Sequence, residues 1–243
     1  MNADGCTNRF RCVQCGFPID TLYIQYSPGN IRLMKCEYCK VVADEYIECE
    51  VMVNKILIID LILHKPQAYR HLFFNRFSKE TVNFQGLLWK SVLAFVLLDI
   101  YRMWTLRMNE NDWTLPATVV SFLLDFGKMF TRVVLENLIF LAVMIHGTGK
   151  LQIASARAFG WKEVSLIVII SSYFKIFLMA MMVWKFPSSV IFIIDMFVMS
   201  SNYVALKVVE AVITDSMMMR CLTVCLVAHG LKFLSCQGLI VQC

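Results

Sequence analysis

The sequence predicts a small N-terminal β zinc ribbon followed by an α-helical multi-span membrane bundle. Three observations carry that fold class. Two cysteine pairs, Cys12-x2-Cys15 and Cys36-x2-Cys39, stand twenty residues apart, the spacing of a zinc ribbon. From Leu87 onward the apolar residues form long blocks divided by short polar breaks, a multi-span pattern. The 243 residues are 58% hydrophobic and 17% charged, whereas a soluble domain carries about 25% charge. The chain thus divides into a zinc-ribbon module over 1–54, an interfacial connector over 55–81 and a transmembrane helical region over 82–243.

Between the cysteine pairs, Thr21, Leu22, Tyr23, Ile24, Gln25 and Tyr26 have strand composition. Ser27-Pro28-Gly29-Asn30 is a turn signal, and Ile31 to Lys35 returns as a second strand. A hairpin brings its ends together, so Cys12, Cys15, Cys36 and Cys39 can converge into a tetrahedron. Gly16 suits the tight knuckle after Cys15. Over 41–53, Ile47, Cys49, Val51 and Val53 alternate with Tyr46, Glu48, Glu50 and Met52, which predicts a third strand with Cys49 on its apolar face. Cys6 fits neither pair. Four thiolates close the coordination shell, so the expected Zn2+ is structural and supplies folding energy to a segment too short for a core of its own. The competing reading is two disulfides. No apolar leader is visible in the first fifteen residues, and Cys243 as last residue gives no prenylation box. Because the first four cysteines have metal-ligand spacing and zinc needs thiolates, the module is expected in the reducing cytosol, where thiols persist. A net charge of +5 is scattered, so no nucleic-acid partner is expected.

In the connector, 56–63 is apolar except for Asp60 and about half as long as a span. Pro66 breaks the chain. Aromatic and basic residues then alternate from Gln67 to Phe77, as in a segment lying at lipid headgroups; a helix packed on the zinc module is the alternative. Tyr69, Arg70, His71, Phe74 and Asn75 are the candidate lipid or interface residues. His64 and His71 are not expected to bind metal, since four thiolates already fill a site.

The run CxxCG, then Leu22-Tyr23, Tyr26, Gly29, Ile31, Leu33, CxxC, Asp44-Glu45-Tyr46-Ile47-Glu48, Ile59-Asp60-Leu61 and Tyr69-Arg70-His71-Leu72-Phe73-Phe74-Asn75 resembles the Arv homology domain. The detailed resemblance covers about residues 10 to 77; beyond it only the multi-span character matches. The resemblance implies an endoplasmic-reticulum membrane protein associated with sterol homeostasis, sterol export and delivery of glycosylphosphatidylinositol-anchor intermediates. It implies a process more firmly than a mechanism.

Four to five spans are expected, near 87–106, 117–146, 164–184, 189–209 and 217–239. No repeat relates the halves, which gives no support to an inverted-repeat transporter. Lys65, Arg70, Arg76, Lys79 and, at its start, Lys90 mark the approach to the first span, and Lys150, Arg157 and Lys162 follow the second. Glu110 and Asp112 lie between them. Basic loops mark the cytosolic side, so the zinc module faces the cytosol. In the second span Asp125, Lys128, Arg132 and Glu136 recur at helical spacing on one face. Facing acyl chains, each would cost about 3 kcal/mol. The stripe is therefore an ion-pair seam, an interfacial face or a polar path for a lipid headgroup. Lys90, Arg220 and Lys232 lie near span ends and are expected to snorkel. Asp99 and Asp195 are too short to snorkel and should cap or pair inside the bundle. His146 and His229 read as satisfied polar groups. Cys221 and Cys225 lie one helical turn apart and need bind nothing. The fifteen methionines, Met179, Met181, Met182 and Met217 to Met219 among them, suit adaptable packing or a sterol surface.

No nucleophile with a base, phosphate loop or open metal site is recognisable, so no enzyme activity is expected. The function expected is intracellular lipid transport and homeostasis, with membrane lipids, sterols foremost, as ligands. The alternative is a zinc-ribbon adaptor that recruits lipid-synthesis or anchor-assembly proteins without moving lipid. A transferase with an unrecognised site is a third reading.

Overall fold

A computed structural model describes residues 10–27, 30–47, 50–77, 83–108, 118–151, 160–180, 184, 187, 189–209 and 215–240. Cys6, Pro28, Gly29, Cys49, Lys79, Glu110, Asp112, Arg157, Met181 and Met182 lie outside these residues. The chain forms two compact units, Met1–Gln85 and Gly86–Cys243.

In the first unit β1 (Phe10–Arg11) pairs antiparallel with β2 (Pro18–Ile19), and β3 (Tyr23–Ser27) with β4 (Asn30–Leu33). The second pair is the hairpin expected between the cysteine pairs, in register Tyr23↔Leu33 with an irregularity between Gln25 and Ser27. The first pair, two residues on each side of a knuckle, is too short to be read from composition. The third strand expected over 41–53 does not form. A single bridge joins Lys35 to Val42, a 3-10 turn follows at Glu45–Ile47, and α1 runs Glu50–Ile62. A short alternating stretch runs into a mostly apolar segment of thirteen residues, and length favours the helix. Pro66 stands at the start of α2 (Pro66–Arg70), where its missing N–H costs nothing. A π-helical turn, His71–Arg76, continues it.

The second unit is helical: α3 (Phe84–Met108), α4 (Val119–Leu151), α5 (Trp161–Ser171), α6 (Ser189–Val209) and α7 (Asp215–Ile240). Among the described residues, stretches of α3, α4, α6 and α7 are long and apolar enough to cross a membrane. The segment expected as the third span, 164–184, is not one continuous α-helix. After Ser171 it narrows to a 3-10 helix, Ser172–Met179. The Ser171 and Ser172 hydroxyls both donate to the Val168 carbonyl, competing with the backbone ladder at that point. The two pieces together rise about 32 Å, near the thickness of a hydrocarbon core.

The inner core gathers Phe95, Phe140, Met144, Val164, Val168, Leu206, Cys221 and Cys225. Against it, Leu93, Leu97, Leu138, Ile193, Met196 and Leu226 are exposed. An apolar outer surface of this kind is stable against lipid rather than water. α4 packs along α7, and Gly147 of α4 lies against Val224 of α7. A Cβ there would stand 2.5 Å from Val224.

Candidate functional site

The cysteine pairs form two knuckles of the same design. Cys12 N donates to Phe17 O and Gly16 N to Cys12 O, both at 2.9 Å. Cys36 N donates to Val41 O at 2.8 Å and Lys40 N to Cys36 O at 2.9 Å. Both turns need left-handed backbone, φ +79° at Gly16 and +62° at Lys40. Gly16 supplies it freely, whereas Lys40 does so against Cβ sterics.

All four Sγ atoms lie within 4.8 Å of one another, with Cys12–Cys39 at 3.7 Å and Cys15–Cys36 at 3.6 Å. A disulfide would require about 2.05 Å, so these are free thiols. Zinc bonded to sulfur at about 2.3 Å in a tetrahedron sets sulfur–sulfur edges near 3.8 Å. The donor set fits that ion. Burial pushes the Cys12 thiol up to about 12 and raises Cys15 as well. At Cys36 burial also raises the thiol, but backbone hydrogen bonds at Cys39 and Tyr38, with the Cys15 and Cys39 side chains, together bring it down to about 7. Four crowded sulfurs become thiolates together only around a cation. Cys12, Cys15, Cys36 and Cys39 would hold the ion, and its bonding would supply the fold's closure.

The connector candidates are turned into this module. Arg70 Nη1 donates to Val13 O at 2.8 Å and Gln14 O at 2.6 Å, locking the first knuckle from outside. Burial lowers the Arg70 pKa, opposed by the charge of Cys15 and Cys12. A Zn(Cys)4 centre would carry a charge of about −2, which this guanidinium offsets. Asn75 pairs with the Arg11 backbone through both amide atoms at 3.0 Å. The buried Asp44 carboxylate ties the unit together: its Oδ2 accepts from Asn75 Nδ2 at 2.6 Å and contacts His71 Nδ1 at 2.7 Å. Its Oδ1 accepts the Tyr46 N–H at 3.0 Å. Tyr46 in turn donates its hydroxyl to Asp60 at 2.8 Å, and Lys65 pairs with Asp60 at 2.7 Å. Lys65 and Tyr46 hold Asp60 below the usual carboxylate range although its burial works the other way. Tyr69 and Phe74 are fully packed, and Arg11 sits over the Phe74 ring.

The second unit holds a buried polar seam. Asp99 accepts from Lys175 at 2.8 and 3.0 Å and from Lys232 at 2.6 Å. Lys232 also donates to Asn137 Oδ1 at 2.6 Å. The Phe95 ring faces both ammonium groups, 3.5 Å from Lys175 and 5.1 Å from Lys232. Arg102 pairs with Asp195 at 2.5 Å. Arg132 meets Glu136 at 3.3 Å and reaches the Ser235 carbonyl at 2.7 Å. Asn202 joins Ser171, Ser172 and His229. The expected stripe therefore divides. Arg132 and Glu136 belong to the seam, whereas Asp125 and Lys128 pair at 3.8 Å in the open.

Asp99 pairs inside the bundle, and the partly exposed Asp195 pairs with Arg102. Lys232 does not snorkel: a carboxylate on α3 lies within its reach, and pairing there replaces the route to water. His229 is satisfied by Asn202. Arg102, Asn137 and Asn202 escape the sequence reading. The signal for Arg102 was its position three residues after Asp99 on one helix face; Asn137 and Asn202 left no such signal.

The sequence matches the Arv1-like family over residues 11–206. It is 50% identical over 223 residues to Protein ARV 2 of Arabidopsis thaliana, covering 92% of each chain. It is 49% identical to Protein ARV 1 of the same plant, covering 92% of this chain and 86% of that one. Protein ARV1 of Homo sapiens is 27% identical over 205 residues, 82% of this chain and 72% of that protein. No solved structure matches.

Proposed function

The chain belongs to the Arv1-like family, and on that footing we propose that it is an endoplasmic-reticulum membrane protein of sterol and lipid homeostasis that moves lipid between sites. The zinc module faces the cytosol and the bundle handles the lipid without bond chemistry. One observation carries this reading: seven charged side chains pair within an apolar helical unit, Asp99, Arg102, Glu136 and Lys175 buried and Lys232, Arg132 and Asp195 partly so. Ionisable groups at bilayer depth are expensive and mark polar pathways. Asp99, Asp195 and Glu136 face Lys175, Lys232, Arg102 and Arg132, three acids against four bases. The seam gives a hydroxyl or anionic headgroup polar company at the depth where the outer surface of the same helices suits acyl chains. Sterols are the first ligands to test, and glycosylphosphatidylinositol-anchor intermediates the second.

The test is reconstitution of the purified chain in vesicles with fluorescent sterol in one leaflet or donor population. Sterol movement above that of protein-free vesicles, reduced by Asp99→Asn with Lys232→Met, supports the reading. Unchanged movement overturns it. The adaptor reading rests on a different observation, the stacked Phe17–Tyr38 ring pair, 5.7 Å apart and exposed beside the thiolates. Exposed aromatic pairs anchor protein partners. Co-purification of a lipid-synthesis enzyme that is lost in Tyr38→Ala, with no sterol movement by the pure protein, would select it.

A further inference from the structure

Over its described side chains, 55–62, helix α1 turns large aliphatic residues outward. At 100° per residue, Ile58, Ile62, Lys55, Ile59, Leu63 and Ile56 follow one another around an arc of about 160°. All of them are exposed, the five aliphatic side chains by 37% to 61%. The opposite arc holds Asp60, Leu57 and Leu61, with Asp60 only 7% exposed. The one acid between Lys55 and Lys65 is turned inward and neutralised there by Tyr46 and Lys65. The residues turned outward are those that water solvates worst.

We propose that α1 lies in the plane of the bilayer interface, its Ile56–Ile59–Leu63 face in the acyl region, as a monotopic anchor of the zinc module. Three observations select lipid as the occupant. The exposed arc is purely aliphatic apart from Lys55, whose long stem lets its ammonium reach headgroups. The aromatic and basic residues that a headgroup-level segment would present, Tyr69, His71 and Phe74, are instead buried, so α1 carries the apolar surface of the connector. Phe84, where the first candidate span begins, follows Phe77 by seven residues. In sequence the module is thus separated from that span by six residues. The Asp44–Tyr46–Asp60 chain of hydrogen bonds fixes α1 to the zinc-bound fold and sets which face points out. This inference needs only the integral membrane character of the chain, not lipid movement by the bundle.

The test places a photo-activatable phenylalanine at Ile59, at Leu63 or at the exposed hairpin residue Arg32 in the full chain. Each variant is reconstituted in nanodiscs of phosphatidylcholine and phosphatidylserine, and zinc content confirms the fold. Phospholipid adducts at positions 59 and 63, absent at 32, are expected. Adducts to protein without lipid at 59 and 63, or no adducts there at all, would overturn the proposal. Sterol movement in vesicles is read separately, so either result can fail without the other.

Discussion

Asp99 touches two ammonium groups at hydrogen-bond distance, and that arrangement decides what its removal does. Asp99→Ala would leave Lys175 and Lys232 buried without their counter-charge, at a cost of about 3–5 kcal/mol. A lower melting temperature in detergent is expected, with partial recovery when Lys175→Met is added. An unshifted midpoint for the single variant would show that the seam contributes no stability. The knuckles make a finer contrast. Gly16→Ala forces a side chain onto φ +79° and should cost about 1–2 kcal/mol. Lys40→Gly removes the same strain from the second knuckle while adding about 0.5–1 kcal/mol of chain entropy, so its net effect is small. Zinc release to a chelator, followed in both variants, should be faster only in Gly16→Ala. The sequence showed Gly16 because glycine announces left-handed backbone; Lys40 carries no such mark, and only the equivalence of the two turns exposes it.

Elements were legible where ligand chemistry or turn residues dictate spacing. Two CxxC pairs demand convergence, so the hairpin between them follows. Helix α1 was not legible, because alternation over a few residues is compatible with either period until a distant contact decides, here Tyr46 on Asp60. The break at Ser171 is also invisible in hydropathy, since serine hydroxyls act on the backbone without changing the apolar average. At this scale Arg70 joins the connector to the first knuckle. Arg70→Ala should weaken zinc binding roughly 10–100-fold, as loss of outer-shell support does, in a competition titration with a zinc indicator. Equal affinity would limit Arg70 to surface packing. Gly147→Ala should wedge α4 from Val224 on α7 and destabilise by about 1–3 kcal/mol. Adding Val224→Ala makes room again, and thermal midpoints of the single and double variants measure the recovery.

The whole molecule joins a cysteine-centred module to a helical membrane unit that buries Asp99, Arg102, Glu136 and Lys175. Composition and block length announced that division. The seam's partners were out of reach for a physical reason: Asp99 and Lys175 are 76 residues apart, Asp99 and Lys232 133. Which helix faces meet depends on rotations about each axis that local patterning leaves open. The connector was harder still, because its aromatic and basic residues have the composition of a membrane surface while their contacts are internal. Several polar groups that look interfacial in sequence serve instead as ties, Arg70 and Asn75 in one unit and Arg132 and Glu136 in the other. The account stands on metal closure of the first unit, since Asp44, Arg70 and Asn75 hold backbone that the two knuckles must first fix. Metal analysis of the purified full chain tests it most directly: one zinc per chain is predicted, lost together with protease resistance of residues 10–77 in Cys36→Ser. A metal-free chain with that segment still protected would contradict it.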